Sequence, residues 1–178
     1  TLTADSDVDN VNDAGSGLSL ASDATVSDPE EGDELSVTGT LADEDGVTNA
    51  APTYVWKRGS TAISGATSSS YTLVQADVGT IISVIISYDD DQSESNTITL
   101  TAADDVDNVN NSPTGSVTIS GTPTEDQLLT AANTLADADG LGSISYQWNR
   151  AGTAISGATS TQYTLVQADV GSTITVTA

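Results

Sequence analysis

The 178 residues contain no cysteine, no histidine, no methionine and no phenylalanine. Without cysteine there are no disulfides and no thiolate metal sites. Without histidine or cysteine, acid–base and nucleophilic catalysis lose their commonest agents. Cations are almost as scarce: Lys57, Arg58 and Arg150 stand against 26 carboxylates, for a formal net charge of −23. Such a chain repels phosphate backbones and anionic lipid, so neither nucleic acid nor membrane insertion is expected. No apolar run approaches the roughly 18 residues of a membrane-spanning helix, and no signal-peptide pattern opens the chain.

High charge of one sign also marks disordered tails. That reading fails here, because 37% of the residues are hydrophobic. They alternate with Ser and Thr in short runs such as Thr80-Ile81-Ile82-Ser83-Val84-Ile85-Ile86, which is strand composition.

The sequence repeats itself. Arg58–Gly79 recurs 92 residues on as Arg150–Gly171, with 18 of 22 positions identical. Thr40–Gly46 matches Thr134–Gly140 at an offset of 94, and Val8–Asn12 matches Val106–Asn110 at 98. The drift implies short insertions and deletions, which belong in loops. A period of this length is that of one sandwich domain, too long for a solenoid repeat. Thr1-Leu2-Thr3-Ala4 equals Thr99-Leu100-Thr101-Ala102, and Ala178 corresponds to Ile86. The expected organisation is the end of a preceding repeat and a linker over 1–13, then an immunoglobulin-like domain over 14–103. An acidic linker over 104–113 follows, then a second domain over 114–178 without its last strand. On this reading the sequence is a window on a longer array.

Period-2 patterns place strands around Leu18 and Leu20, Leu35 and Val37, Tyr54 and Trp56, Tyr71 and Leu73, Ile82 to Tyr88, and Ile98 and Leu100. The second module repeats them at Val117 and Ile119, Leu129, Tyr146 and Trp148, Tyr163 and Leu165, and Ile174 and Val176. With turn signals at Asp45-Gly46 and Ser64-Gly65 and no helical periodicity, the fold class is all-β: tandem immunoglobulin-like Greek-key β-sandwich domains. One Trp per repeat reads as core, not as an exposed sugar-stacking platform. Each repeated Arg, Arg58 or Arg150, is expected to pair with the Asp of its own Ala-Asp-Val-Gly turn, Asp77 or Asp169.

The pattern Tyr-x-Trp, Ile-x-Gly-Ala-Thr and Tyr-Thr-Leu-x-x-Ala-Asp-Val-Gly-x-x-Ile-x-Val resembles the Ig-like repeats of giant bacterial surface adhesins, of the RTX and biofilm-associated kinds. The joining segments Asp9–Asp13 and Asp107–Pro113 are similar to the Asn/Asp-rich linkers of such arrays and, more loosely, to the calcium-binding linkers of cadherins. Ala14-Gly15 departs from that pattern where a Pro would stand. The resemblance implies an extracellular location and an extended stalk, often stiffened by Ca²⁺, that carries a ligand-binding tip.

No enzyme is expected. The single Lys is replaced by Asn149 in the second repeat, and the carboxylates sit in repeating turns instead of forming one singular pair. Ca²⁺ is the candidate cofactor, since it takes hard oxygen ligands. The linker group Asp105, Asp107, Asn108 and Asn110, with Asp104, either binds it or is a solvated charged hinge. The same alternative holds for Asp7, Asp9, Asn10 and Asn12 at the start. Asp43 with Asp45, and Asp137 with Asp139, precede a Gly as in the first part of many calcium loops, or form plain Asp-Gly turns. Asp89 and Asp91 are further candidates in the turn after Tyr88. Strong like charge would also keep near-identical sandwiches from pairing at their edges.

The leading expectation is an extracellular structural or adhesive spacer whose partners are the neighbouring repeats. One alternative is a subunit of a self-assembling filament that contacts copies of itself, with Thr1–Ala4 as the donated strand. A carbohydrate-binding module ranks third.

Overall fold

The alternation of Ile and Val with Ser and Thr becomes a central strand whose inward residues, Ile82, Val84, Ile86 and Tyr88, are all buried. The computed structural model describes residues 11–22, 28–48 and 51–178. They fall into two units, Thr1–Val109 and Asn110–Ala178.

In unit 1 the strands are β1 (Ser16–Ser22), β2 (Glu34–Ala42), β3 (Thr53–Arg58), β4 (Thr61–Ala62), β5 (Ser70–Thr72), β6 (Ile81–Asp89) and β7 (Ser95–Asp105). One sheet has the order β1-β2-β5 and the other β4-β3-β6-β7, with every pairing antiparallel. Pairing β2 with β5 and β3 with β6 interleaves the sheets, which is the Greek-key immunoglobulin-like sandwich. Leu35, Trp56, Leu73, Ile82, Val84, Ile86 and Val106 form the core. Burying one indole there contributes several kcal/mol, at roughly 25 cal/mol per Å² over about 200 Å².

Unit 2 repeats the plan with β8 (Val117–Ser120), β9 (Leu128–Asn133), β10 (Gln147–Arg150), β11 (Thr153–Ala154), β12 (Gln162–Thr164) and β13 (Ile174–Thr177). Its sheets have the orders β12-β9-β8 and β11-β10-β13. No strand of this unit takes the place of β7. Its core is correspondingly small: Leu129, Ala131, Trp148 and Leu165.

Two features differ from the sequence reading. Short strands β4 and β11 close hairpins on β3 and β10; at two residues each they carry no periodic signal. The segment expected to be a linker from residue 104 instead belongs to unit 1 as far as Val109. Strand β7 runs to Asp105, and Val106 is buried with only 1% exposure. Val106 and Asp107 make parallel bridges to Val78 and Glu30. Four backbone hydrogen bonds fix them: Val106 N–H to Thr80 O, Gly79 N–H to Val106 O, Asp107 N–H to Pro29 O, and Glu31 N–H to Asp107 O.

Glycine is required where β1 meets β2. Gly17 and Gly39 have φ of 84° and 101°. A Cβ on Gly17 would overlap the Thr40 carbonyl, and one on Gly39 the Gly17 carbonyl. The ladder shifts register at this point. Gly115 stands in the same relation to Thr134 in unit 2.

Candidate functional site

Each unit buries one polar node. Leu73 leaves strand β5 and the chain turns through a short 3₁₀ segment, Gln75–Asp77, which carries Asp77 into the interior at 0% exposure. Burial of a carboxylate is costly unless its oxygens are satisfied. Asp77 Oδ1 accepts from Arg58 Nε at 2.7 Å, and Oδ2 accepts from Tyr71 Oη at 2.9 Å and Val74 N at 2.8 Å. The Tyr71 ring packs on Trp56 with centroids 5.7 Å apart, and Trp56 Nε1 donates to Ser68 O at 2.9 Å.

Unit 2 reproduces this node. Arg150 Nε, Tyr163 Oη and Val166 N donate to Asp169 at 2.6, 2.9 and 2.8 Å. Trp148 packs on Tyr163 at 5.7 Å and donates to Ser160 O at 2.8 Å. The expected pairing of each Arg with its own Asp is therefore present twice. Burial pushes the Asp169 carboxyl up, but the Val166 N–H, Arg150 and Tyr163 outweigh it and hold the group below its usual value. Burial, followed by the hydrogen bonds to Asp77 and Asp169, pushes the Tyr71 and Tyr163 phenols up.

A second, acidic constellation lies at the end of unit 1 where the chain enters from residue 11. Asp43 Oδ1 accepts from Asp45 N at 3.0 Å and its Oδ2 from Tyr88 Oη at 2.6 Å. Asp45 Oδ2 accepts from Asp13 N at 2.8 Å and Oδ1 from Gln92 Nε2 at 3.2 Å. The β6–β7 loop closes over this turn: Asp91 N donates to Gly46 O, and the Asp91 carboxylate lies where a Cβ on Gly46 would be. Asn12 and Asn96 exchange side-chain hydrogen bonds. A notch of about 290 Å³ is lined by Asp13, Ala14, Ser16, Ala42, Asp43 and Glu44. Tyr88 is 3% exposed, and burial followed by the hydrogen bond to Asp43 pushes its phenol up to about 12.

The corresponding turn of unit 2 is built alike. Asp137 Oδ1 accepts from Asp139 N at 3.0 Å, and Asp139 Oδ2 accepts from Asn111 N at 2.5 Å. In both units, then, the second Asp of the Asp-x-Asp-Gly turn fastens the incoming segment, at Asp13 or Asn111. These carboxylates act as turn-formers and acceptors for backbone N–H groups.

Of the remaining candidates, Asp7, Asp9 and Asn10 lie outside the described residues. Asp105, Asp107 and Asn108 are exposed at the far end of β7, away from the Asp43 turn, and Asn110 is exposed at the start of unit 2. Asn108 Oδ1 accepts from Gln75 Nε2 at 3.0 Å, and Asn110 Nδ2 donates to Asn111 O at 3.2 Å. Asp89 is exposed and accepts from Ser95 Oγ at 2.7 Å. The structure thus brings Asn12, Asp43, Asp45 and Asp91 together, and keeps Asp105, Asp107 and Asn108 at the opposite end of the same unit. Among the described residues, no group of three or more acidic side chains is arranged to hold a metal ion.

Asp90, which the sequence reading placed with Asp89 and Asp91 in one ligand-donating or solubilising loop, is the buried member of that triplet. Its Oδ1 accepts from Gln92 N and Glu94 N, and its Oδ2 from Asn96 Nδ2, so it shapes the whole β6–β7 loop. The available signal was strand parity: continuing β6 by twos from Tyr88 directs Asp90 inward. No protein family matches the chain, and neither the curated proteins nor the solved structures return a significant match.

Proposed function

We propose that the chain is an extracellular structural module, a spacer in a long cell-surface adhesin or fibre, with Ca²⁺ as a stiffening ion. The observation that carries this reading is the duplication of one buried node, Arg58–Asp77–Tyr71–Trp56 and Arg150–Asp169–Tyr163–Trp148, with matching distances. In each copy the distinctive polar residues are spent on internal hydrogen bonds. Features that repeat in this manner hold a shape. Trp56 and Trp148 are both 0% exposed, so neither ring is available to stack on a sugar. Asp105 and Asp107, exposed at the far end of β7, would supply hard oxygens for Ca²⁺.

Thermal melts and small-angle scattering with Ca²⁺ and then with chelator test the reading. A higher Tm and a longer, stiffer particle in Ca²⁺ are expected. Identical melts and profiles in both buffers would remove Ca²⁺ from the proposal and leave a metal-independent acidic spacer.

A further inference from the structure

The two repeats agree where β3 and β6 face inward and differ where these strands face out. The inward side chains Tyr54, Trp56, Arg58, Ile82 and Val84 recur 92 residues on as Tyr146, Trp148, Arg150, Ile174 and Val176. The outward ones do not recur. Val55, Lys57, Ile81 and Ile85 of unit 1 are replaced by Gln147, Asn149, Thr173 and Thr177. Polar residues are thus accommodated at all four positions, and the sandwich itself does not require aliphatic ones there. Yet in unit 1 Val55 is 41% and Ile81 46% exposed. Ile85 stands between them in the sheet, paired with Val55 on one side and Thr99 on the other.

Charge is distributed over this face just as unevenly. Segments Thr53–Lys57, Ile81–Ser87 and Thr97–Thr101 contain no carboxylate, in a chain of net charge −23. Lys57 lies among them. Arg58 and Arg150 are committed to Asp77 and Asp169, whereas Lys57 forms no ion pair among the described residues. Asp89 closes the face at one end, exposed and outward on β6, where it accepts only from Ser95 Oγ. Asp105 closes the other end, on β7, two strands away from β3. Lys57 is level with Ser83, and Asp89 lies six residues further along β6. At about 3.4 Å per residue the two charges are roughly 20 Å apart, too far to meet within one copy.

Exposed aliphatic side chains on a face depleted of acids have the composition of an interface core. Two copies of so acidic a chain repel wherever carboxylates oppose one another, and here none do. We propose that the β4-β3-β6-β7 face of unit 1 is a self-association surface, on which two copies of the chain stack sheet against sheet about a two-fold axis. The axis crosses β6 between Ile85 and Ser87 and reverses the strand direction. The level of Ser83, where Lys57 lies, then meets Asp89 of the other copy, twice by symmetry. β3 and β6 are about 4.8 Å apart, a gap the four-carbon stem of Lys57 spans. Val55 and Ile85 of both copies fill the middle, against Thr53 and Ser87. The same patch serves on both sides, so the contact closes at a dimer. It does not depend on the spacer reading or on Ca²⁺.

Sedimentation velocity of the 178-residue chain over a concentration series, in chelator and at about 0.15 M salt, tests this. A monomer–dimer equilibrium that stops at the dimer is expected. Val55→Gln combined with Ile85→Thr should weaken it by about tenfold or more. Unit 2 carries these residues at the same positions, so the fold is kept. Lys57→Glu and Asp89→Lys should each weaken the dimer by about tenfold. The two together should restore it, because each exchanged charge meets its opposite across the axis. A wild-type chain that is monomeric at every concentration overturns the proposal. So do dimers that survive the Val55→Gln and Ile85→Thr pair, oligomers that grow beyond the dimer, and a charge exchange that leaves the chain monomeric.

Discussion

Arg58 places both Nε and an Nη within 2.7 Å of a single oxygen of Asp77, a carboxylate with no solvent exposure. The other oxygen is held by Tyr71 and Val74. Removing the carboxylate leaves four donor groups on three residues without their acceptor. Asp77→Ala should therefore cost about 3 kcal/mol, the low end for a broken buried pair, because the 32%-exposed Arg58 can turn toward water. Urea unfolding of the variant checks it. A loss below about 0.5 kcal/mol would mean that the node contributes little.

Trp56→Ala removes the largest buried side chain of unit 1 and orphans the Ser68 carbonyl. The expected loss is about 3–5 kcal/mol. Trp148→Ala acts on the smaller core formed by Leu129, Ala131, Trp148 and Leu165, so unit 2 should lose its cooperative transition altogether. Calorimetry on the two variants distinguishes the outcomes.

Alkaline pH should unfold unit 1 through its phenols. Tyr88 is pushed from 10.0 up to about 12, and Tyr71 also lies above its ordinary value. Above pH 10 the unfolded chain releases phenolic protons that the folded state retains. The unfolded state then binds fewer protons, and stability falls as pH rises. The loss is expected between pH 10 and about 12, read by circular dichroism beside phenolate absorbance. Tyr88→Phe should flatten the dependence. An unchanged profile would assign the alkaline loss to other groups.

The Asp45 and Asp139 acceptors make a local prediction. Asp139→Ala should speed hydrogen exchange of the Asn111 amide, while Asp139→Asn keeps an acceptor and retains part of the protection. Global stability should change by no more than about 1 kcal/mol, since the site is exposed. Equal exchange rates in wild type and Asp139→Ala would show that the contact does not persist in solution.

Much of this architecture was legible because the chain states it twice. Period-2 alternation exposed the long strands, and the rarity of cations made the recurrence of Arg58 and Arg150 informative enough to pair them with Asp77 and Asp169. The end of β7 was harder to read. Around Val106 the composition is that of a solvated linker, and one inward side chain among Asp and Asn gives no periodicity. The Asp43 and Asp45 turn was recognised, but not its hold on Asp13. That contact is made by a backbone N–H, a group every residue but proline carries and composition cannot reveal. Asp90 was obscured by its neighbours, because three consecutive acids read as a surface loop until strand parity selects the middle one.

The anchoring of Val106 also has a mechanical meaning. Any tension transmitted along the chain beyond Asn108 reaches unit 1 through Val106 and Asp107. Their four hydrogen bonds reach back to Pro29, Glu31, Gly79 and Thr80, segments far apart in sequence. The load is spread over the fold instead of peeling β7 from one edge. Resistance to stretching is governed by the rate at which such a joint opens, not by equilibrium stability. Val106→Ala should therefore lower the unfolding force of unit 1 far more than an equal truncation at Ile98, in the middle of the same strand.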